Sequence, residues 1–144
     1  MRDNKLSSIF LFKLEITAKQ FRKYKNRVFR EHQIDITSDQ WILLKNINEA
    51  AGINQSELAI RCKKEAAAVT RTLDILEKKQ WISREKDPNS RRVYKLFVTD
   101  DGQKMIAKIL PIALATRAQA SNGLSDEELD MLNHILDKIF TNLK

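Results

Sequence analysis

The fold of this chain is decided by residues 54–99, which read NQSELAIRCKKEAAAVTRTLDILEKKQWISREKDPNSRRVYKLFVT. Apolar residues at helical spacing predict two short helices in the first half. A capping-box-like pattern at Asn54 opens the first helix, and the second runs from near Glu65 to about Lys79. Only a tight turn fits between them, so the pair forms a helix-turn-helix.

The second half of this stretch changes to the alternating pattern of strands. Residues 81–86 and 93–98 are rich in β-branched and aromatic side chains. Residues 87–90, which include a proline, are a strong turn signal, and Arg91 and Arg92 follow them. The pattern predicts a β-hairpin with a basic tip.

Long helices flank the central stretch. Residues 10–28 repeat apolar side chains at helical spacing with no Gly or Pro, and Thr37 or Ser38 caps a second helix that should end at Gly52. The predicted fold is mainly α with a small β-hairpin wing: a winged helix-turn-helix between N- and C-terminal helices.

The C-terminal part contains two more predicted helices. Thr99 caps the first, which should kink at Pro111 and end at residues 122–123. Ser125 begins a capping box for the last helix, whose leucines and isoleucines recur every three or four residues.

Composition excludes several classes of protein. The 144 residues suit one domain, with 42% hydrophobic and 31% charged residues and only three Gly and two Pro. No stretch reaches the roughly 18–20 apolar residues that span a bilayer. The single Cys62 cannot form an internal disulfide, so we expect a cytoplasmic protein without a membrane segment.

The net charge of +7 is concentrated in two blocks. Residues 60–95 hold eleven basic and five acidic residues, and residues 1–32 hold nine basic and three acidic residues. Basic blocks on an otherwise acidic chain favour a surface that binds phosphate, although a solvated helix face explains the N-terminal block equally well.

The chain resembles the MarR family of winged helix-turn-helix regulators in two groups of residues. The first group is Leu58, Ala59, Val69, Thr70, Arg71, Leu76, Glu77, Lys78 and Lys79. The second group is Arg84, Asp87, Pro88, Arg91, Arg92, Val98, Thr99 and Gly102. Departures from the family pattern are Lys63 and Lys64 in the turn, Gln80 where a Gly is usual, and Ser90 where an acid is usual.

This resemblance implies a domain organisation and a function. Residues 1–144 form one MarR-like domain, in which 37–99 are the DNA-binding lobe and 1–32 and 100–144 are dimerisation helices. The implied function is a homodimeric transcriptional regulator of pseudo-palindromic duplex DNA, released by a small aromatic ligand. A winged-helix protein-interaction module without sequence-specific DNA binding is the alternative. RNA binding is disfavoured because the sequence offers no aromatic stacking platform.

The fourth helix is the predicted recognition helix. Val69, Leu73 and Leu76 define its buried stripe, so Ala67, Thr70, Arg71, Asp74 and Lys78 fall on the far face. Small residues there allow close approach to bases, although an alanine run also simply favours helix. The predicted DNA-contacting residues are Lys63, Lys64, Ala67, Thr70, Arg71, Arg91 and Arg92.

The terminal helices carry more apolar surface than one small domain can bury, which favours a homodimer. The side chains predicted at that interface are Phe10, Leu14, Leu129, Leu132, Leu136 and Ile139.

Other candidate sites are weak. His32 and His134 have no metal-ligand spacing, and no nucleophile or phosphate-loop motif appears, so we expect no metal, no cofactor and no enzyme activity. Cys62 is a buried structural thiol or, if nearby cations lower its pKa, a redox sensor. Asp74 shares the far face of the fourth helix, but an acid is not expected to contact a phosphate, so we expect it to pair with Arg84 instead.

Overall fold

The computed structural model describes residues 4–90 and 92–144 and has the predicted fold class. Within those residues a short 3₁₀ turn, six α-helices and two strands follow one another. Their bounds are Leu6–Ser8 for the 3₁₀ turn, then α1 Phe10–Glu31, α2 Ser38–Glu49, α3 Gln55–Cys62, α4 Ala66–Lys78, β1 Ile82–Lys86, β2 Tyr94–Val98, α5 Asp100–Ala120 and α6 Asp126–Asn142.

Helix α2 begins at a reciprocal cap. The Thr37 hydroxyl accepts from the Gln40 amide at 3.2 Å, and the Gln40 side chain accepts from the Thr37 amide at 3.1 Å. The helix ends at Glu49, earlier than the predicted end at Gly52. Gly52 adopts a positive φ of 87° and donates its N–H to the Leu96 carbonyl, so it shapes the following loop and does not cap the helix.

The helix-turn-helix closes through residues that replace the family's glycines. Lys63, the C-cap of α3, lies in the left-handed region at φ 53°, and Gln80 after α4 lies there at φ 64°. Both backbones therefore adopt the conformation that a glycine would take most easily. The sequence departures at these two positions leave the loop geometry intact, at a cost of about 1 kcal/mol each.

The wing is an antiparallel hairpin whose register pairs Ile82 with Val98 and Lys86 with Tyr94. A third segment joins it, which the sequence pattern did not predict. Asn54 forms a bridge with Lys95, and the Leu96 amide donates to the Ile53 carbonyl at 2.9 Å. The wing is thereby attached to the residues that begin α3.

Helix α5 starts against the base of the wing. The Thr99 hydroxyl accepts from the Gly102 amide at 3.0 Å and donates to the Gln80 carbonyl at 2.6 Å. A Cβ on Gly102 would lie 2.1 Å from the Trp81 carbonyl oxygen and 2.6 Å from a Val98 methyl. Only glycine allows this close approach.

The two C-terminal helices follow the predicted pattern, except that α5 ends earlier than predicted. Helix α5 continues through Pro111 and ends at Ala120, before residues 122–123, and the kink expected at Pro111 stays a prediction. Ser125 and Glu128 form the predicted capping box at the start of α6.

The hydrophobic core runs from Phe29, at the end of α1, to Ala113 in α5. The stripe of α4 predicted to be buried, Val69, Leu73 and Leu76, is fully buried. Helix α6 contributes no buried residue. The core therefore holds the helix-turn-helix and wing together as one lobe and leaves α6 outside it.

Candidate nucleic-acid interface

Helix α4 presents a polar, solvent-exposed face opposite its buried stripe. All five residues predicted to lie there are exposed: Ala67, Thr70, Arg71, Asp74 and Lys78. Arg71 forms no ion pair with another residue in the described part of the chain. A convex helical face with small side chains and a free guanidinium fits a major groove.

Thr70 is fixed by a residue of the preceding helix. Its hydroxyl donates to the Ala66 carbonyl at 3.0 Å and accepts from Gln55 Nε2 at 2.5 Å. Gln55 is the first residue of α3 and was missing from the sequence prediction. Its position beside the N-cap was visible in the sequence, but its contact with a residue fifteen positions away was not.

The two lysines of the turn are placed differently. Lys63 is exposed, and its Nζ lies 5.6 Å from the centre of the Phe140 ring in α6. Lys64 points towards α2, where its Nζ lies 3.0 Å from Asp39 Oδ1 and its side chain is only 23% exposed. Arg22 of α1 approaches the same oxygen at 3.8 Å. In the protein without DNA, Lys64 is therefore already engaged in an intramolecular ion pair.

The wing tip is shaped by short-range hydrogen bonds. The Asp87 carboxylate accepts from the Asn89 amide at 2.9 Å, and the Ser90 hydroxyl accepts from the Arg92 amide at 3.3 Å. Ser90, which stands where the family usually has an acid, therefore holds the backbone ahead of an exposed Arg92 side chain. The other predicted wing contact, Arg91, lies outside the described residues.

Arg84 of β1 connects the wing to the recognition helix. Its guanidinium lies 3.0 Å from Asp74 Oδ1, the predicted pair, and 3.4 Å from Glu77 Oε1, a partner that the sequence analysis missed. The Arg84 side chain is 20% exposed. One arginine therefore pairs with two carboxylates of α4, offsets one of their two negative charges and ties the wing to that helix.

Comparison with known proteins matches this arrangement to one family. Residues 36–94, which span α2, the helix-turn-helix and the wing as far as the first residue of β2, match the model of the MarR family. Over this segment, 59 of the 144 residues, the chain is similar to the MarR family.

Solved structures share the fold over nearly the whole chain. A protein from Listeria monocytogenes described as a MarR family transcriptional regulator, solved with a 26mer DNA, is 26% identical, with a TM-score of 0.83 over 99% of this chain and 90% of that chain. A mutant MarR from E. coli complexed with operator DNA is 26% identical, with a TM-score of 0.77 over 90% and 94%. A MarR protein from Peptoclostridium difficile, at 22% identity, shares the fold with a TM-score of 0.87 over 99% and 92%.

The terminal helices expose a large apolar surface. Phe10 is 57% and Leu132 is 44% exposed, while the other four predicted interface residues, Leu14, Leu129, Leu136 and Ile139, are half-buried. Further exposed apolar side chains on the same helices were missed by the sequence prediction: Leu11, Ile16, Met131, Ile135 and Phe140. Helical periodicity could have found them, since Met131 and Ile135 are four residues apart.

A cavity of about 360 Å³ lies between α1, α2 and α5. Its lining combines aromatic and charged side chains: Phe21, Lys25, Trp41, Lys45, Glu49, Leu110, Ala113, Thr116 and Arg117. Burial and the nearby Arg22 lower the pKa of Lys25, against the opposing effect of Asp39. The sequence analysis assigned no residue to a ligand site because the lining of this cavity comes from three separate helices.

Cys62 is half-buried at the end of α3. Burial raises the pKa of its thiol, and this effect outweighs the opposing influence of Lys64 and Arg61. The neighbouring cations do act to lower this pKa, but burial has the larger effect, so the lowered pKa that a redox sensor needs is not found. A thiol with a raised pKa is a poor nucleophile at neutral pH, which favours the structural role.

Two further features of the described residues bear on function. None of the helices is both long and apolar enough to cross a membrane. No group of three or more His, Cys, Asp or Glu side chains in residues 4–90 and 92–144 is arranged to hold a metal ion.

Proposed function

We propose that this chain is a homodimeric transcriptional regulator that binds pseudo-palindromic duplex DNA and is not an enzyme. The observation that carries the proposal is the exposed face of α4, on which Arg71 has no ion-pair partner among the described residues and the carboxylate of Asp74 is paired with Arg84. Related proteins of the same fold, solved with a 26mer DNA and with operator DNA, support it. We assign residues 37–99 to the DNA-binding lobe.

In this proposal α4 enters the major groove and the wing reaches the adjacent minor groove. Ala67 and Thr70 face base edges, and Lys63, Lys64 and Arg71 contact phosphates. Arg92 lies at the tip of the wing, and Arg91 and Arg92 are the residues proposed to reach the minor groove, because a guanidinium suits the negative potential of a narrow groove. The backbone bond from Arg92 to Ser90 supports this placement by ordering the tip.

The dimer is proposed to form through residues 1–32 and 100–144. No residue of α6 is fully buried within one chain, and its large apolar side chains Met131 and Leu132 are exposed, so a second copy is the partner that would cover them. Two-fold symmetry would present two α4 helices to half-sites one helical turn of DNA apart, roughly 34–36 Å.

We also propose that the cavity between α1, α2 and α5 receives a small aromatic effector. Phe21 and Trp41 offer ring contacts, and Lys25 and Arg117 would attract a carboxylate or phenolate. The cavity lies between the proposed dimerisation helices and the DNA-binding lobe, so a ligand there would change the spacing of the two lobes.

The proposed compartment is the reducing cytoplasm, which suits a chain with the single cysteine Cys62.

A gel shift and footprint on genomic duplex DNA at several salt concentrations test this function. We expect saturable binding, discrete protected half-sites, and an affinity that falls steeply with salt. The same assay on a chain lacking residues 125–144 should show no shift, and sedimentation should find this chain monomeric or unfolded. A folded truncation that remains a dimer would refute the assigned interface.

The alternative class is a winged helix that binds another protein. Its signature would be the absence of any footprint even at low salt, with Arg71 and Arg92 dispensable. That outcome would remove DNA binding from the proposal.

A further inference from the structure

The hydroxyl of Thr70 has little hydrogen-bonding capacity left for a ligand. A threonine hydroxyl holds one proton and two lone pairs. Its proton is committed to the Ala66 carbonyl, 3.0 Å away in the preceding turn of α4. Gln55 Nε2 occupies one lone pair from α3. Thr70 therefore retains a single lone pair and no proton.

We propose that Gln55 is a positioning residue that makes Thr70 an acceptor-only reader of exocyclic amino groups in the major groove. This inference rests on the proposed DNA-binding function and adds base specificity to it. Gln55 acts through Thr70, because its N–H directs the hydroxyl proton away from itself and towards Ala66.

The base preference follows from the donors and acceptors at base edges. In the major groove adenine offers its N6 amino group and cytosine its N4 amino group as donors, while guanine O6 and thymine O4 are acceptors. An acceptor-only oxygen can bond to the first two and would meet a lone pair on the last two. Thr70 should therefore select adenine or cytosine on the contacted strand.

Gln55 is well placed to impose this restriction. It follows Asn54, whose backbone is bridged to Lys95 of the wing and whose side chain caps α3 by accepting from the Glu57 amide at 2.8 Å. The backbone at the start of α3, from which the Gln55 side chain projects, is thus fixed by the wing and by the cap. The second amide proton of Gln55 is not used by Thr70 and suits a DNA phosphate.

The chain offers a matched control for each change. Thr72 makes the same bond to the carbonyl four residues earlier, at 3.0 Å from Ala68, but lies half-buried off the exposed face. Gln103 is the control for Gln55. Its side-chain amide donates to the side chain of Asn48 at 2.7 Å, just as the amide of Gln55 donates to Thr70, but neither Gln103 nor Asn48 belongs to α4.

The experiment compares base selectivity and not affinity alone. The wild-type dimer first selects binding sites from a pool of random duplex DNA, and every single-base variant of the selected site is then titrated. The variants are Gln55→Met, Thr70→Val and Thr70→Ser, with Gln103→Met and Thr72→Val as controls, and circular dichroism melting checks that each folds.

We expect wild type to prefer adenine or cytosine at one symmetry-related pair of positions. Gln55→Met and Thr70→Val should both reduce that preference about fivefold, the discrimination of one hydrogen bond, and only there. Thr70→Ser, which keeps the hydroxyl, should retain most of it, and the controls should retain all of it. If Gln55→Met does not fold, Thr70→Val still tests the position.

Three results would overturn the inference. In the first, Gln55→Met weakens binding equally on every sequence. In the second, the position sensitive to Thr70→Val prefers guanine or thymine. In these two cases specific DNA binding would stand and only the role of Gln55 would fall. In the third, wild type selects no sequence, and both the proposed function and this inference fail.

Discussion

Replacing Asp39 with asparagine is expected to strengthen DNA binding. Lys64, a proposed phosphate contact, is held 3.0 Å from Asp39 Oδ1 in the unbound protein. To reach a phosphate, Lys64 must leave this pair or share its charge with it. Asp39→Asn keeps an oxygen that can accept from Lys64 but removes the negative charge that restrains it.

The size of the effect follows from the exposure of the pair. The Lys64 side chain is 23% and that of Asp39 is 42% exposed, so solvent screens their attraction and the pair contributes about 0.5–1 kcal/mol. Relieving this cost at two half-sites should tighten binding by about 1–2 kcal/mol, or about 5- to 30-fold. Protein stability should fall by no more than about 1 kcal/mol.

Fluorescence anisotropy of a labelled operator duplex at about 50 to 200 mM salt measures both the affinity and its salt dependence. Over this range the Debye length falls from about 14 to about 7 Å. Because Asp39 shares the charge of Lys64 in the wild-type protein, its removal should make the slope of log K against log salt more negative, by at most the roughly 1.8 that one full phosphate contact per half-site gives for the dimer. Asp35→Asn is the matched control, because Asp35 also pairs with a lysine, Lys79 at 3.4 Å, outside the proposed interface.

The comparison with the control decides the outcome. Equal affinities and slopes for Asp39→Asn and Asp35→Asn would mean that only net charge matters and that Lys64 does not bind phosphate. Weaker binding by Asp39→Asn would mean instead that Asp39 positions the turn for DNA, for example by holding Arg22 as well.

Three more predictions concern the wing, the thiol and the base of α5. Arg92→Ala should weaken operator binding by about 1–3 kcal/mol per half-site in the same assay, and Arg92→Lys should recover only part; wild-type affinity for the alanine variant would exclude the wing contact. Because burial raises the pKa of Cys62, its alkylation should be slower than that of free cysteine at pH 7, and Cys62→Ser should lose stability while any peroxide response of DNA binding stays unchanged; loss of such a response would restore the sensor hypothesis. Gly102→Ala should cost about 2–4 kcal/mol in urea unfolding, since its Cβ would collide with the Trp81 carbonyl, whereas Gly123→Ala, with φ 83° and open space around it, should cost about 1 kcal/mol; equal losses would refute the steric argument.

Local chemistry made the helices and strands predictable. The caps at Thr37, Asn54 and Ser125 act through hydrogen bonds that span only three residues, so their sequence patterns carry the information directly. The turn at Asp87 is equally local. The buried stripe of α4 was also correct, because helical periodicity alone fixes which residues share a face.

Left-handed backbone conformations at residues other than glycine were harder to predict. Lys63 and Gln80 occupy left-handed positions where the family pattern has glycine, and the sequence alone left the geometry there open. Hydrogen bonds around these two residues hold their backbones in place. The backbone N–H of Lys64, just after Lys63, donates to the Ala59 carbonyl, and the Thr99 hydroxyl donates to the carbonyl of Gln80 itself.

The sequence by itself determined the order of helices and strands, the buried face of α4 and the basic character of the lobe, since each depends on residues a few positions apart. Tertiary structure alone decided which charges are free. It pairs Lys64 with Asp39 across 25 positions, gives Arg84 a second carboxylate in Glu77, and joins Gln55 to Thr70. Such pairings depend on how helices pack, and a long, flexible side chain has many possible partners until packing brings one within about 3 Å.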